Sequence, residues 1–351
     1  MIEVRGLQVS LGDFTLKDIT VSVARGEYFV VLGPTGAGKT VLLESIAGLN
    51  PIDSGEIVVQ GRNMSGLDPE ERHISIVYQD CALFPHYSVR DNIAFGLKMR
   101  KERQPELAKR VGEVVDLLGI GHLLQRWPET LSGGEKQKVA LARAIATEPG
   151  VLLLDEPLRA LDPETREDIQ EELLEMQRST GITVMHVTHD FEEAMAMADR
   201  IAVMGEGSVC QIGTQDDIFR RPGSAFVARF VMTRNIFTGK ADEAENDLTR
   251  FSQDGLQVYS SGKLTGRCHA SIRPEDIVVT TEAGDATREN LLSATVTRIV
   301  NRGATLLVTC EVPPAVTCMM TRYHAESIGL KVGQQIYITF PPSSLHLFPQ
   351  T

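Results

Sequence analysis

Gly33-Pro34-Thr35-Gly36-Ala37-Gly38-Lys39-Thr40 fits the phosphate-binding pattern GxxxxGK[ST] at every fixed position. Its glycines let the backbone bend so that successive N–H groups face phosphate oxygens, and the helix opening there adds its positive end. In such a loop Lys39 reaches the β- and γ-phosphates and the Thr40 hydroxyl ligates Mg²⁺. A glycine-rich turn could match by chance, but the flanks argue otherwise. Residues 26–32, Gly-Glu-Tyr-Phe-Val-Val-Leu, read as a short buried strand. After the loop, Leu42, Leu43, Ile46 and Ala47 mark one face of a helix closed by Gly48.

Two further apolar runs share this organisation. Val151-Leu152-Leu153-Leu154 stops at Asp155-Glu156, and residues 182–187 stop at Thr188-His189-Asp190. Apolar strands that end in polar residues, with helical stretches between, predict a parallel sheet covered on both faces. Ligands of such sheets bind beyond the carboxyl ends of the strands. There Asp155 is placed to hold Mg²⁺ through water, and Glu156 to orient and polarise an attacking water. Two acids closing a strand are also compatible with a solvated turn. Residues from about 90 to 147 read as an inserted helical subdomain, and Asp162-Pro163 opens a helix with Ile169, Leu173 and Met176 on one face and Gly181 at its end.

Composition narrows the class. The chain has 351 residues, 42% of them apolar, and 35 basic against 47 acidic side chains give a net charge of −12. That balance disfavours nucleic acid as a partner, since such binding relies on neutralising phosphates. The five cysteines are scattered without a CxxC pair, which suggests neither a disulfide framework nor a zinc site. No cleaved leader is expected, and no run approaches the ~20 apolar residues that a membrane-spanning helix needs.

A phosphate-binding loop alone does not separate a kinase from a GTPase, a helicase or a transport motor. Leu131-Ser132-Gly133-Gly134-Glu135, running into Lys136-Gln137-Lys138-Val139-Ala140-Leu141-Ala142-Arg143-Ala144, is a second helix start suited to an anion. An ordinary capped helix would share its form. With this motif the sequence resembles the ATP-binding-cassette (ABC) transporter ATPases over residues 1 to about 235.

The resemblance implies an α/β P-loop NTPase fold that binds ATP and Mg²⁺. It also implies two cassettes facing head to tail, with Ser132, Gly133, Gly134 and Glu135 of one reaching the γ-phosphate held by the other. By position Gln79 becomes the Mg²⁺-linked glutamine, Asp162 the residue of subunit communication and His189 the switch histidine at the γ-phosphate. A strand-end glutamine and a helix N-cap remain the plainer readings of Gln79 and Asp162. His186, inside its strand, reads as a core histidine. The stretch Ala82-Leu83-Phe84-Pro85-His86-Tyr87-Ser88-Val89 corresponds to the surface that receives a membrane subunit, or else to a buried turn. Three positions depart from the family pattern. Glu135 replaces a glutamine, Arg159 stands where serine is common, and Leu11 occupies the place of an adenine-stacking aromatic, leaving Phe14 as the nearest candidate.

The character changes near residue 235, where short runs (Ala270–Ile272, Ala294–Val300, Thr305–Cys310, Gln335–Phe340) predict a small all-β domain. The expected division is 1–234 for the cassette and 235–351 for the β-domain. Ser271-Ile272-Arg273-Pro274-Glu275-Asp276 resembles the OB-like regulatory domain of prokaryotic importers. The segment from Asn290 onward is similar to the oxyanion-binding (TOBE/Mop-like) domain of molybdate and tungstate importers. That likeness implies a regulatory oxyanion near Thr321, Ser343 and Ser344, although His324 and Pro341 stand where serine and lysine are frequent. A purely structural dimerisation domain is the alternative.

The expected protein is the ATPase of a prokaryotic importer, a homodimer on the cytoplasmic face of the membrane. Its partners would be two permease subunits and an external solute-binding protein, with molybdate or tungstate as cargo. Importers of sulfate, sugars, polyamines or iron are the nearest alternatives. A soluble cassette ATPase of DNA repair or translation, and a silent nucleotide binder, lie further off.

Overall fold

The computed structural model describes residues 1–283 and 290–350. Its contacts divide the chain into two compact units, Met1–Gln215 and Asp216–Thr351.

The first unit runs β1 (Ile2–Leu11), β2 (Phe14–Val23), β3 (Tyr28–Leu32), α1 (Lys39–Ala47), β4 (Ser54–Val59), β5 (Arg62–Asn63) and β6 (Ile74–Val77). Helices α2 (Val89–Met99), α3 (Gln104–Leu117) and α4 (Gly133–Ala146) follow, then β7 (Val151–Asp155), α5 (Pro163–Thr180), β8 (Thr183–Thr188), α6 (Phe191–Met197), β9 (Arg200–Gly205) and β10 (Ser208–Gly213). Six strands form one sheet in the order β10-β9-β3-β8-β7-β6, and β2-β1-β4-β5 form an antiparallel second sheet. Every side chain of β3, β7 and β8 is buried, as expected of parallel strands covered on both faces.

Helix α1 shows how the sequence builds the site's support. Leu42, Leu43 and Ile46 are fully buried against both sheets, each burial stabilising by about 1.5–3 kcal/mol. The helix ends because Gly48 takes a left-handed φ of 87° and its N–H closes on Glu44 and Ser45. Helix α5 begins where Asp162 accepts the Thr165 N–H and ends at Gly181, burying Ile169, Leu173 and Met176.

The second unit holds α7 (Gln215–Phe219, which begins one residue before the division), α8 (Ala225–Phe230), β11 (Asn235–Glu243), β12 (Thr249–Gln253), β13 (Leu256–Ser260), β14 (Gly266–Ile272) and β15 (Val278–Thr280). It continues with β16 (Asn290–Asn301), β17 (Thr305–Glu311), β18 (Val316–Thr321), α9 (Arg322–Ser327), β19 (Gln335–Phe340) and β20 (His346–Pro349). Two antiparallel five-stranded sheets, β13-β12-β11-β14-β20 and β15-β19-β16-β17-β18, share one apolar core. The contact division falls 19 residues before the expected 234/235 boundary, between Gln215 and Asp216. One reason is visible in the bonding: the Pro222 carbonyl lies 3.1 Å from His346 Nε2 on β20.

Asn235 stitches the two sheets together. It is buried, its amide donates to the carbonyls of Ile272 (3.2 Å) and Thr317 (2.7 Å), and its Oδ1 accepts the Thr317 N–H at 2.7 Å. Asn235→Ala leaves these groups buried without partners and should destabilise the second unit by about 2–4 kcal/mol. Amide exchange should then accelerate in β14 and β18 and stay unchanged in β7. Unaltered exchange in β18 would remove Asn235 from this role.

Candidate functional site

Strand register assembles the site. In the parallel pairs Leu32 lies opposite Thr188, and Asp155 opposite Val187. The loop at 33–40, the pair Asp155-Glu156 and His189 therefore leave the sheet at one level. The Glu156 N–H bonds to the Val187 carbonyl at 2.9 Å. Gln79 follows β6, whose Val77 pairs with Leu154, so it too emerges at this edge, with its side chain exposed.

The phosphate-binding loop is held in a bent form. Gly38 has φ 96°, and a Cβ there would sit 2.5 Å from the Phe14 ring, so glycine is required on both counts. Phe14 thus packs directly on the loop, half-buried, whereas Leu11 is exposed. Gly33 and Ala37 are buried, while Pro34, Thr35, Gly36 and Thr40 are exposed. Lys39 is buried and donates to the loop's own carbonyls, Gly33 at 2.8 Å and Pro34 at 3.1 Å. Burial draws its ammonium below the ordinary value, against the opposing pull of Glu156 and Asp155.

The Thr40 hydroxyl lies 3.1 and 3.0 Å from the two carboxylate oxygens of Asp155. Burial raises the Asp155 carboxyl above the usual carboxylate range, with the Thr40 bond pulling the other way. Glu156 has a left-handed φ of 46°. Its Oε1 lies 3.1 Å from His189 Nδ1, and its Oε2 lies 2.6 Å from an Arg159 guanidinium nitrogen. His186 is fully buried, with Nδ1 3.1 Å from the Tyr28 hydroxyl and Nε2 3.4 Å from Glu193, as suits a core histidine.

Ser132 caps α4 in a reciprocal box. Its hydroxyl accepts the Glu135 N–H at 3.2 Å and its N–H donates to Glu135 Oε2 at 2.7 Å. That N–H holds the Glu135 carboxyl below its ordinary value, and Arg126 pairs with Oε1 at 2.9 Å. Gly133 and Gly134 pack on Leu161 and Thr165, beside the capping Asp162. The stretch 82–89 is an ordered turn fixed by buried Asn92. The Asn92 side chain accepts the Phe84 N–H at 2.8 Å and donates to the carbonyls of Phe84, Tyr87 and Ser88 at 3.1 Å. Leu83, Phe84 and Tyr87 remain half-buried there, and Pro85 and His86 exposed.

Arg159, Arg126 and Asn92 were not singled out by sequence for these contacts. The i,i+3 spacing of Glu156 and Arg159 was the available signal for the first.

In the second unit the expected grouping of Thr321 with Ser343 and Ser344 is not found. Thr321 pairs with Thr305, where β17 follows the Asn301 end of β16, whereas Phe340, just before the serines, pairs with Asn290 at the other end. Thr321 instead caps α9, and His324 Nε2 lies 3.0 Å from the Val279 carbonyl. Ser343 and Ser344 line a cavity of about 570 Å³ with Arg220, Arg221, Arg273 and His346. Asp216 pairs with Arg220 at 3.3 Å and with Arg221 at 3.5 Å.

Comparison with known proteins finds relatives of both units. The family model described as ABC transporter matches residues 16–159, and the one described as TOBE domain matches 270–348. The molybdate/tungstate import ATP-binding protein WtpC of Pyrococcus horikoshii is 40% identical over 99% of this chain and 100% of its own length. The spermidine/putrescine import ATP-binding protein PotA of Roseobacter denitrificans is 44% identical over 79% of this chain and 78% of its own. A dimeric ATP-binding cassette in a post-hydrolysis state with ADP and Pi matches at TM-score 0.55 and 28% identity, covering 61% of this chain and 98% of that one.

Asp155 carries a testable consequence. A carboxyl whose proton is held more tightly folded than unfolded supports the fold at acid pH. That support is lost as the pH rises from the ordinary carboxylate value to the raised one. At neutral pH in chelator, Asp155→Asn should therefore raise the unfolding midpoint. The gain should vanish near pH 3 (~one unit below the carboxylate pKa). A lower midpoint at neutral pH would show that Asp155 is not opposing the fold.

Sequence, fold and relatives converge: the chain belongs to the ABC transporter family, as an ATP-hydrolysing import subunit with a C-terminal OB-like TOBE domain.

Proposed function

We propose that this chain powers uptake of molybdate or tungstate, as the hydrolytic half of a membrane importer. The observation that carries the hydrolytic part is the position of Glu156 just after β7, with His189 after the adjoining β8 3.1 Å from its carboxylate, and Lys39 and Thr40 following β3 on the far side of β8. The substrate assignment draws support from likeness to WtpC along 99% of the chain, including the C-terminal unit. Polyamine uptake is the second reading, supported by the 44% identity with PotA.

Chemically, Lys39 exchanges the carbonyls of Gly33 and Pro34 for phosphate oxygens, and the N–H groups of the loop and the start of α1 receive the remaining charge. Phe14, packed on the loop, is the surface offered to adenine. Thr40, Gln79 and Asp155 present an all-oxygen donor set, with Thr40 already against both Asp155 oxygens, which suits Mg²⁺. That ion, when bound, neutralises charge developing on the phosphoryl oxygens. Glu156 accepts the proton of the attacking water, and His189 holds the carboxylate in place and faces the γ-phosphate. Ser132, Gly133, Gly134 and Glu135 of a second copy complete the site, and Asp162 lies beside that contact.

The half-buried apolar turn 82–89 is the surface offered to two permease subunits, which would place the chain on the cytoplasmic side of a membrane, downstream of an external solute-binding protein. Among the described residues no helix is long and apolar enough to cross a membrane. Oxyanion regulation is assigned to the cavity of Arg220, Arg221, Arg273, Ser343 and Ser344, whose arginines would turn from Asp216 and Glu275 to meet an anion.

ATP hydrolysis by the assembled transporter tests these assignments. Glu156→Gln should lower turnover about 10²–10⁴-fold while ATP is still bound. Tungstate and molybdate should inhibit the wild type, and sulfate and spermidine should not. An active Glu156→Gln variant would overturn the role of Glu156. Indifference to all four solutes would remove both the regulatory and the substrate assignment.

A further inference from the structure

Both oxygens of the Glu156 carboxylate are taken by side chains of its own unit. His189 holds Oε1, and the Arg159 guanidinium holds Oε2 at 2.6 Å, the shorter of the two contacts. The backbone prepares this return. Glu156 sits at φ 46°, and the Arg159 N–H closes on the Glu156 carbonyl at 3.3 Å, so three residues turn back and lay the guanidinium on the carboxylate. Exposure is unequal, 13% for the Glu156 side chain and 50% for Arg159. The carboxylate is thus fixed by the fold, while the arginine can swing into solvent.

The chemistry of a water-activating carboxylate makes this contact consequential. Each carboxylate oxygen offers two lone-pair sites, and the charge-assisted Arg159 bond fills one on Oε2 and narrows the directions from which a water can approach that oxygen. Because the cation is half exposed, the pair is screened and its release requires little energy. The neighbouring tie is arranged differently. Arg166 donates to the Leu161 carbonyl at 3.2 Å and pairs with Asp190 at 3.5 Å, joining the segment after Glu156 to the segment after His189.

We infer that Arg159 is a positioning residue that restrains Glu156: it fills one lone-pair site of Oε2 in the resting cassette and slows proton uptake from water until it swings away. The inference rests on the hydrolytic role proposed for Glu156. Arg159 acts through that carboxylate, so its removal changes turnover rather than ATP binding. Lysine, a point charge without the planar fork, keeps part of the restraint.

The test is steady-state ATP hydrolysis by the assembled transporter carrying Arg159→Ser, Arg159→Lys, Glu156→Gln or the Arg159→Ser/Glu156→Gln pair, without transport substrate. Releasing a half-exposed ion pair should raise kcat about two- to fivefold in Arg159→Ser, with KM for ATP changed less than about twofold. Arg159→Lys should fall between this variant and the wild type, and both Gln-containing variants should stay about 10²-fold or more below the wild type. The wild-type rate should also climb toward that of Arg159→Ser as salt is raised from about 0.05 to 0.5 M, because screening loosens the pair. An unchanged or lower kcat in Arg159→Ser would overturn the restraint, as would a KM that rises in proportion. Turnover near the wild-type rate in Glu156→Gln alone would instead overturn the role of Glu156, whatever Arg159 does.

Discussion

Parallel pairing of Leu32 with Thr188, and of Asp155 with Val187, ends three strands at a single level, and the candidate site depends on that register. A shift of one residue in β7 would turn Asp155 to the opposite face of the sheet and separate it from Thr40. The register is enforced by side chains that never touch a nucleotide. Leu153, Met185, Val187 and Val31 are fully buried in the core beneath the site, together with Leu42, Leu43 and Ile46 of α1. Packing therefore does the positioning, and the polar groups occupy the places it provides.

The same arrangement stores unfavourable electrostatics. Lys39 and Asp155 are both buried, and burial is the largest influence on each, lowering the ammonium and raising the carboxyl. Lys39 is satisfied by loop carbonyls and Asp155 by a hydroxyl, so each group has a neutral partner as its hydrogen-bonding companion. A fold built for stability alone would pair or remove these charges. Keeping a cation and an anion close but separately held leaves both available to a polyanionic ligand and a cation. Glu156, with its left-handed φ, adds backbone strain at the same place.

What could be read from sequence divides along physical lines. Elements whose residues must satisfy a local pattern were legible. The strand–loop–helix around Lys39, the caps Asp162 and Gly48, and the closing Gly181 all fall where their residue types require. The second unit was less legible because its strands alternate buried and exposed positions over short lengths, and β11, β12 and β13 carry polar residues that blur the period. The contact division at Gln215 lies ahead of the change in composition near residue 235 because Pro222 is bonded to a strand more than a hundred residues away. Long-range partners such as Thr321 and Thr305 depend on which strands neighbour one another, and periodicity carries no information on that.

Charge pairs show the same limit at shorter range. Glu135 stands where the resemblance leads one to expect glutamine, and alone it would bring a negative charge to the start of α4. The structure places Arg126 against it and turns its second oxygen onto the Ser132 N–H, so the added charge is absorbed locally and the capping geometry is kept. Arg159 departs from serine four residues after Asp155 and is likewise absorbed, by Glu156. Both departures thus bring a charge that the fold answers with an opposite one inside the same unit. The difference lies in where the answering group sits. Arg126 balances a carboxylate that serves the cap, whereas Arg159 lies on the carboxylate proposed to take a proton from water.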